Sequence, residues 1–103
     1  MPRKLRVSSE AATDIEHIQA WYSQPGAGAV AVRRVQAILA AIRRLRRHPC
    51  RYPRDDRLAG ARRMVIEGHA VIYEVTPDTG RDATSGDVTL LRVFGPGQDC
   101  SNR

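Results

Sequence analysis

A chain of 103 residues is long enough for one domain with a modest hydrophobic core, and it leaves little room for a deep, enclosed active site. Seventeen Lys and Arg residues against 11 Asp and Glu give a formal charge of +6, and Lys4 is the only lysine. Because arginine forms bidentate contacts with carboxylates and phosphates, this excess favours an acidic protein or a nucleic acid as a partner. A GC-rich genome, which enriches soluble proteins in arginine without a binding function, explains the charge equally well.

Membrane, secreted and metal-dependent classes find no support in the sequence. No apolar run approaches the roughly 20 residues of a membrane span, and no apolar signal segment follows the N-terminus, so a cytoplasmic protein is expected. Cys50 and Cys100 are predicted to be free thiols, with a disulfide between them or a catalytic thiol as the alternative. His17, His48 and His69 do not show zinc-ligand spacing, and no metal or cofactor is predicted.

The N-terminal part predicts a strand followed by a helix. Residues 4–7 alternate polar and apolar side chains, as a short edge strand does. A serine pair then supplies an N-cap. Apolar residues recur at helical spacing as far as Trp21 and Tyr22. The first helix is therefore predicted over 9–23, and the Pro-Gly sequence after it breaks the helix.

A second amphipathic helix is predicted over 28–47, and Pro49 ends it. Because the turn between the two helices is short, they are predicted to pack as an antiparallel hairpin. Apolar side chains trace one face of the second helix. The opposite face carries most of its arginines, which are Arg33, Arg43, Arg44 and Arg47.

The segment 62–75 predicts a β-hairpin. Two runs rich in β-branched and aromatic residues flank Glu67-Gly68, and the glycine can adopt the positive φ of a tight reversal. A third apolar run, 88–94, is predicted to pair beside the hairpin. The order of strand, two helices and three strands predicts an α+β fold, in which the helical hairpin covers a mostly antiparallel sheet and the last three strands form a meander. Its predicted core contains Ile15, Ile18, Val35, Ile38, Ile42, Met64 or Val65, Ile72 and Leu91.

The segments between these elements are predicted to be exposed. Loop 50–60 carries Asp55-Asp56, which is expected to be solvated and balanced by neighbouring arginines, with an acid/base or metal pair as the alternative. The connection 76–86 consists of small and polar residues and is expected to be exposed and mobile. Residues 98–103 are expected to form a frayed tail. The whole chain, 1–103, is predicted to be a single domain.

Four segments carry a resemblance to a known family. The segment 5–22, LRVSSEAATDIEHIQAWY, resembles the opening strand and first helix of the ParE/RelE superfamily, the toxins of type II toxin–antitoxin (plasmid stabilisation) systems. The segments 31–54 and 88–99 resemble its second helix and closing strand. The segment 62–75, RRMVIEGHAVIYEV, is similar to the Arg–x–apolar–x–x–Gly–x–x–x–Ile–x–Tyr signature of the ParE branch. Together the four segments span nearly the whole chain.

The sequence departs from the family pattern in two places. Phe94-Gly95-Pro96-Gly97 stands where the family often has Leu-His-x-Arg, so a basic residue and a histidine are missing. The connection 76–86 is also longer than is usual in the family. If the segment after the last strand contacts the target, this departure predicts an attenuated toxin homologue.

The resemblance implies a toxin that binds DNA gyrase, stalls it on cleaved DNA, and is neutralised by a cognate antitoxin. An arginine-rich face suits an acidic C-terminal antitoxin segment that is disordered alone and folds on the toxin. Such a segment can lay a helix on the helical hairpin or add a strand to the sheet edge. The residues predicted to bind the antitoxin or target are Trp21, Tyr22, Arg33, Arg44, Arg62 and Arg92.

Two other functions remain open from the sequence. A RelE-like, ribosome-dependent mRNA endonuclease would use clustered cations and a proton donor, and its candidates are Arg62, Arg63, Tyr73 and Arg92. A basic nucleic-acid-binding module would use the helix-two arginines on phosphates. Tyr52 and His69 are further possible proton donors, but their places in a loop and at a turn do not single them out. Several of these residues also have a structural interpretation: Tyr73 as a sheet residue with a solvated hydroxyl, His69 as an exposed turn residue, and Trp21 or Tyr22 as core packing.

Overall fold

The computed structural model describes residues 3–96, so the predicted tail 98–103 and Cys100 lie outside the described residues. The helices and strands follow the predicted order and give the predicted α+β class. Neither helix in this part of the chain is long and apolar enough to cross a membrane. The elements are β1 (Leu5–Val7), α1 (Ser9–Tyr22), α2 (Gly28–Arg44), β2 (Ala61–Ile66), β3 (His69–Thr76) and β4 (Asp87–Phe94).

The helical hairpin forms where the sequence predicts it. Ser8 is the N-cap of α1, because its hydroxyl accepts a hydrogen bond from the backbone N–H of Ala11 at 3.1 Å. The chain reverses through Gly26 and Gly28, whose φ angles of 87° and 79° lie in the left-handed region that glycine enters at little cost. The two helices pack on each other and, with the sheet, enclose the main core.

α2 ends at Arg44, three residues before its predicted end at Arg47. The chain continues in tight turns, in which the N–H groups of Leu45 and Arg46 bond to carbonyls three residues back, at 3.1 and 3.3 Å. This tightening turns the chain so that Leu45 and Pro49 are both buried. Pro49 therefore packs inside the protein, beyond the end of the helix that it was predicted to stop.

The sheet has the strand order β1-β4-β3-β2. The last three strands form the predicted antiparallel meander, and β2 and β3 are joined by a two-residue turn at Glu67 and Gly68, with φ angles of 51° and 75°. Positive φ at both central residues is the type I′ signature, whose twist matches that of the flanking strands. β1 lies at the edge, as predicted, but it pairs in parallel with β4, so the sheet is mixed.

Beyond the reach of β1, the edge of β4 is covered by a side chain from α1. β1 pairs only with Val88–Leu90. Further along β4, the Asp14 carboxylate accepts a hydrogen bond from the backbone N–H of Val93 at 2.8 Å and also binds the Arg92 guanidinium. Asp14 thus takes the place of a missing strand partner and fixes α1 against β4.

The predicted core is largely confirmed. Ile38, Ile42, Met64 and Ile72 are buried, and Ile15, Ile18, Val35 and Leu91 are half-buried. Of the alternatives at the start of the hairpin, Met64 is the core residue, because Val65 is 62 % exposed. Most buried side chains lie between the helices and the sheet. A smaller cluster lies on the other side of the sheet and contains Ala61, Ala70, Ile72 and Phe94, with Leu91 packed against it.

Both loops contain buried polar side chains that the sequence does not predict. Asp55 is buried, and its carboxylate accepts hydrogen bonds from the backbone N–H groups of Arg57 and Leu58 at 3.0 and 2.6 Å, so it organises its own loop. Asp56 is exposed as expected. Most of the connection 76–86 is exposed, as predicted, but it places Ser85 inside the protein and Asp78 in a largely buried ion pair. The polar composition of both loops predicts exposure, but these polar groups have hydrogen-bond or ion-pair partners inside the protein.

Gly86 is predicted to be the least replaceable glycine of this connection. A Cβ atom there would lie 2.0 Å from the Thr76 carbonyl oxygen and 2.6 Å from Pro77 Cδ, and backbone cannot move aside cheaply. We expect Gly86→Ala to lower the free energy of unfolding by about 3 kcal/mol, measured by urea denaturation. Gly26→Ala is the control, because Gly26 has a positive φ but no neighbouring atom lies within 4 Å of a Cβ atom at this position. This substitution should cost about 1 kcal/mol. Equal losses in the two variants would contradict the proposed clash.

Candidate partner-binding surface

A groove of about 700 Å³ runs between α1 and the ends of β3 and β4. We call it the α1 groove. Its walls combine apolar side chains, among them Ile18, Trp21, Phe94 and Pro96, with the imidazole of His17 and the guanidinium of Arg92. Such a mixture of an apolar floor and a few charged groups at the rim is typical of a site that binds another polypeptide.

Trp21 separates the α1 groove from a second, smaller hollow. That hollow, of about 390 Å³, lies at the turn between the helices and is lined by Trp21, Tyr22, Pro25, Val30 and Arg34 among others. Trp21 is 66 % exposed, so the indole is not core packing. A large aromatic side chain standing between two concavities is the kind of residue that dominates the binding energy of protein interfaces.

Aromatic contacts and one ion pair hold together the surface between the two concavities. The Tyr22 and His69 rings lie 5.9 Å apart, and Arg34 stacks on Tyr22 at 5.8 Å while its Nε approaches the Glu67 carboxylate at 3.4 Å. His69 is only 1 % exposed, so its predicted exposure is wrong: Tyr22 covers it, and its Nδ1 lies 2.8 Å from the Glu67 carbonyl oxygen. Tyr22 is half-buried, which agrees with its packing interpretation.

Arg92 stands at the rim of the α1 groove with its guanidinium fixed in place. It donates to both Asp14 oxygens, at 2.8 and 3.2 Å, and lies over the Phe94 ring at 4.8 Å. The bidentate bond to Asp14 raises the pKa of Arg92. Almost half of the side chain is still exposed, so Arg92 can meet a partner while it remains bound to Asp14.

Arg62 does not lie on this surface. It is buried in an ion pair with Asp78, whose oxygens accept from Arg62 Nε and Nη2 at 2.8 and 3.0 Å, and its Nη1 donates to the Tyr52 carbonyl at 2.7 Å. The hydrogen bonds from Arg62 lower the pKa of Asp78 to about 2, and Asp78 in turn raises the pKa of Arg62. Arg62 therefore joins strand β2 to two loops, and its predicted binding role is not supported by its position.

Tyr73 and Arg63 also differ from what a nuclease site requires. Tyr73 is fully buried, and its hydroxyl donates to the Pro49 carbonyl oxygen at 2.7 Å, so the predicted solvated hydroxyl is wrong. Burial raises the pKa of Tyr73 above its usual range, which opposes proton loss. Arg63 is only partly exposed and has Asp55 at 3.8 Å. Of the four nuclease candidates, only Arg92 lies on an open groove.

The two remaining predicted residues lie on the outer face of α2. Arg33 and Arg44 are both exposed, and neither lines a concavity described above. Of the six predicted binding residues, the structure thus brings together Trp21, Tyr22 and Arg92. Within residues 3–96, no group of three or more His, Cys, Asp or Glu side chains is placed to hold a metal ion.

Several residues of the α1 groove were missed by sequence reasoning. Asp14 and His17 looked like ordinary polar positions of a helix, and their role follows only from the packing of α1 beside β4. Gly95 and Pro96 carried a signal, because the sequence departs from the family pattern there, and both residues line this groove.

The sequence model of a protein family, described as the ParE toxin of the type II toxin–antitoxin system parDE, matches residues 5–98 of this chain. The chain belongs to this family. No curated protein matches it significantly. Among solved structures, it is similar to one described as the chromosomal ParDE toxin–antitoxin system of P. aeruginosa, with a TM-score of 0.69, 18 % sequence identity, and coverage of 92 % of this chain and 97 % of the other. At this identity the likeness establishes the fold, and the family match makes the chain a ParE-type toxin.

The ion pair between Arg62 and Asp78 predicts how stability depends on pH. The folded-state pKa of Asp78 lies below its unfolded value of 3.8, so the stabilisation is complete above that value and is lost as the pH falls toward about 2. We expect a loss of about 2 kcal/mol from this group between pH 4 and 2, measured by urea denaturation at several pH values. Asp78→Asn should lower stability at neutral pH by about 3 kcal/mol, because it leaves Arg62 buried and unpaired.

Asp56→Asn is the matched control, because Asp56 is exposed and its replacement removes the same formal charge. Stability of this control should be close to that of the wild type. An Asp78→Asn variant as stable as the control at neutral pH would contradict the structural role of the ion pair.

Proposed function

We propose that this ParE-type toxin inhibits DNA gyrase by binding and that a cognate antitoxin neutralises it by placing an acidic C-terminal segment in the α1 groove. The observation that carries the antitoxin part is the exposed indole of Trp21 beside an apolar groove with a cationic rim. A disordered acidic segment gains the most from such a surface, because it buries apolar side chains while its carboxylates meet arginines.

The size and charge of the surface fit a single amphipathic segment. The α1 groove and the neighbouring hollow together follow one side of α1 and reach the turn between the helices. Arg92 lies at one end of this surface and Arg34 at the other, and each keeps exposed area beside its own carboxylate partner. The formal charge of +6 adds long-range attraction for an acidic partner.

Inhibition of gyrase is proposed from membership of the ParE family, and inhibition by binding is favoured by the positions of the nuclease candidates. RNA cleavage needs a proton donor or a cationic cluster at the scissile phosphate. Tyr73 is buried with its hydroxyl bonded inside the protein, and Arg62 is buried with Asp78. His69, another possible donor, is buried as well. A cytoplasmic location belongs to the same proposal, because gyrase acts on the chromosome.

The departure from the family pattern after β4 bears on potency. Gly95 and Pro96 line the α1 groove, and Gly97 lies outside the described residues. In the family pattern a histidine stands at the position of Gly95, so the groove has a glycine there instead of an imidazole. An attenuated toxin that still binds its antitoxin therefore remains the second candidate.

The antitoxin part is tested with the single tryptophan of the chain. The antitoxin is the product of the small gene expected beside the toxin gene. Binding of its C-terminal peptide should move the Trp21 emission to shorter wavelength, because the indole leaves water. Trp21→Ala should weaken peptide binding by about 2 kcal/mol or more, measured by calorimetry. The association rate for the wild type should also fall as salt is raised, because the charges that steer the partners are screened.

Val65→Ala is the control, because Val65 is equally exposed but lies on β2, away from the α1 groove. It should bind the peptide as tightly as the wild type does. Tight binding without any change in Trp21 emission would place the antitoxin elsewhere and overturn this part of the proposal.

The target is tested by two assays on the same purified protein. We expect the protein to inhibit supercoiling by gyrase and to leave mRNA on programmed ribosomes intact. Because Arg92 lies on the open groove, Arg92→Ala separates the two mechanisms further: a nuclease that depended on it would lose its cuts.

Specific mRNA cuts that disappear in Arg92→Ala would establish the nuclease alternative. No effect in either assay, with antitoxin binding intact, would instead identify an attenuated homologue. A control reaction contains relaxed DNA, gyrase and the toxin but no ATP, so no supercoiling occurs. Loss of DNA from this control would show that the basic protein precipitates DNA, and it thereby separates precipitation from inhibition.

A further inference from the structure

The C-terminal end of α2, away from the turn between the two helices, carries a dense group of exposed arginines that the proposed function does not use. We call Arg43, Arg44, Arg46, Arg47 and Arg51 the arginine cluster, and all five are exposed. The first two lie in the last turn of α2, and the others lie in the turns that follow. We propose that this cluster is a binding surface for the phosphate backbone of duplex DNA.

The cluster combines a high density of arginines with a lack of counter-charges. Within residues 3–96, none of its five side chains has a carboxylate within 4.0 Å. Asp82 also lies at this end, but it accepts a hydrogen bond from the Cys50 N–H at 2.8 Å and lies 3.5 Å from His48. Elsewhere arginines are commonly paired, as shown by Arg6, Arg34, Arg54, Arg62 and Arg92.

Stability does not explain so many cations in so short a segment. The negative end of the helix dipole favours a cation near Arg43 and Arg44, by about 0.3–1 kcal/mol each. The effect fades within a turn, and neighbouring like charges repel one another, so the later arginines gain little from it. The cluster is thus a local concentration of positive charge that costs free energy until an anion binds.

The backbone that carries the cluster is held in place. The Arg3 side chain donates hydrogen bonds to the carbonyl oxygens of Arg46, Asp82, Ser85 and Gly86, and thereby ties the turn after α2 to the connection 76–86. Leu45 and Pro49 are buried beneath it. The guanidinium groups therefore project from a fixed platform, and binding a phosphate backbone orders side chains without the cost of ordering the main chain.

The surroundings favour a nucleic acid over a protein as the partner. None of the exposed large hydrophobic side chains of the described chain lies between residues 43 and 51. Protein interfaces need such an apolar centre, and nucleic-acid interfaces are polar and strongly positive. The exposed Val30 and Trp21 belong to the other end of the hairpin, and Val30 is roughly 20 Å from Arg44 along the axis of α2.

Duplex DNA fits better than a single strand. Binding of single strands relies on aromatic side chains that stack on bases. The aromatic residue beside the cluster is Tyr52, which is half-buried and already covered by the Arg51 guanidinium at 5.8 Å. Arginines without a stacking platform contact phosphates, so binding should be independent of sequence and strongly dependent on salt.

The test uses fluorescence anisotropy with the full-length toxin and a labelled duplex of about 20 base pairs and arbitrary sequence, over about 50 to 200 mM salt. We expect a Kd in the non-specific range, about 10⁻⁶ to 10⁻⁴ M, and a plot of log K against log salt with a slope of about −3 to −5. Arg44→Gln/Arg47→Gln should weaken binding about tenfold or more and make the slope less steep by about 2.

The matched control is Arg33→Gln/Arg34→Gln, which removes the same formal charge near the other end of α2, roughly 15 Å from Arg44 along the helix axis. It should lose less than about threefold in affinity, because only the general charge changes. Circular dichroism and thermal unfolding verify that both double variants are folded.

Equal losses in the two double variants would overturn the proposal, because binding would then follow net charge alone. Displacement of the duplex by poly-glutamate at equal charge concentration would overturn it in favour of an acidic protein partner. Tighter binding of single-stranded than of duplex DNA would overturn the choice of the duplex. All three outcomes are independent of the gyrase and antitoxin assays.

Discussion

The ion pair between Arg62 and Asp78 connects three segments that are far apart in the sequence. Arg62 comes from the first hairpin strand, Asp78 from the connection before β4, and the carbonyl oxygens of Cys50 and Tyr52 from the loop after the helices. A buried guanidinium must find acceptors for its donors, because unpaired it would be strongly destabilising. The requirement fixes where both loops lie, and with them the turn after α2 and its arginines.

Arginine thus serves three different purposes in one small protein. Inside, Arg62 is surrounded by acceptors and acts as a structural tie. On the rim of the α1 groove, Arg92 is intermediate, since Asp14 holds its guanidinium while part of it faces solvent. At the end of α2, the arginine cluster faces water without carboxylate partners in the described part of the chain. The same side chain is structural, adaptable or available for binding according to how many acceptors the fold brings to it.

Sequence periodicity predicted the elements well and the contacts between distant polar groups poorly. The apolar spacing gave both helices to within a few residues, and Glu67-Gly68 gave the hairpin turn. The local pattern contains no information that Asp78 meets Arg62 or that Asp14 meets Arg92. For the same reason the sequence predicts a binding role for Arg62, which is buried with Asp78, and predicts an exposed His69, which is also buried. At the α1 groove, the residue type of Trp21 is enough to predict a binding role. The position of Pro96 in the groove follows only from the packing of α1 beside β4.

The parallel pairing of β1 with β4 has a consequence for biosynthesis. β4 lies between β1 and β3 in the sheet, so the first strand has no partner until residues 88–90 have left the ribosome. Contacts of such long sequence separation form late, because the chain must first lose the entropy of closing a large loop. During translation the helices can form their hairpin, but the floor of the α1 groove, which β4 supplies, does not yet exist. An unfinished copy of this toxin therefore has no complete binding surface, and an antitoxin that recognises the groove engages only chains that have finished folding.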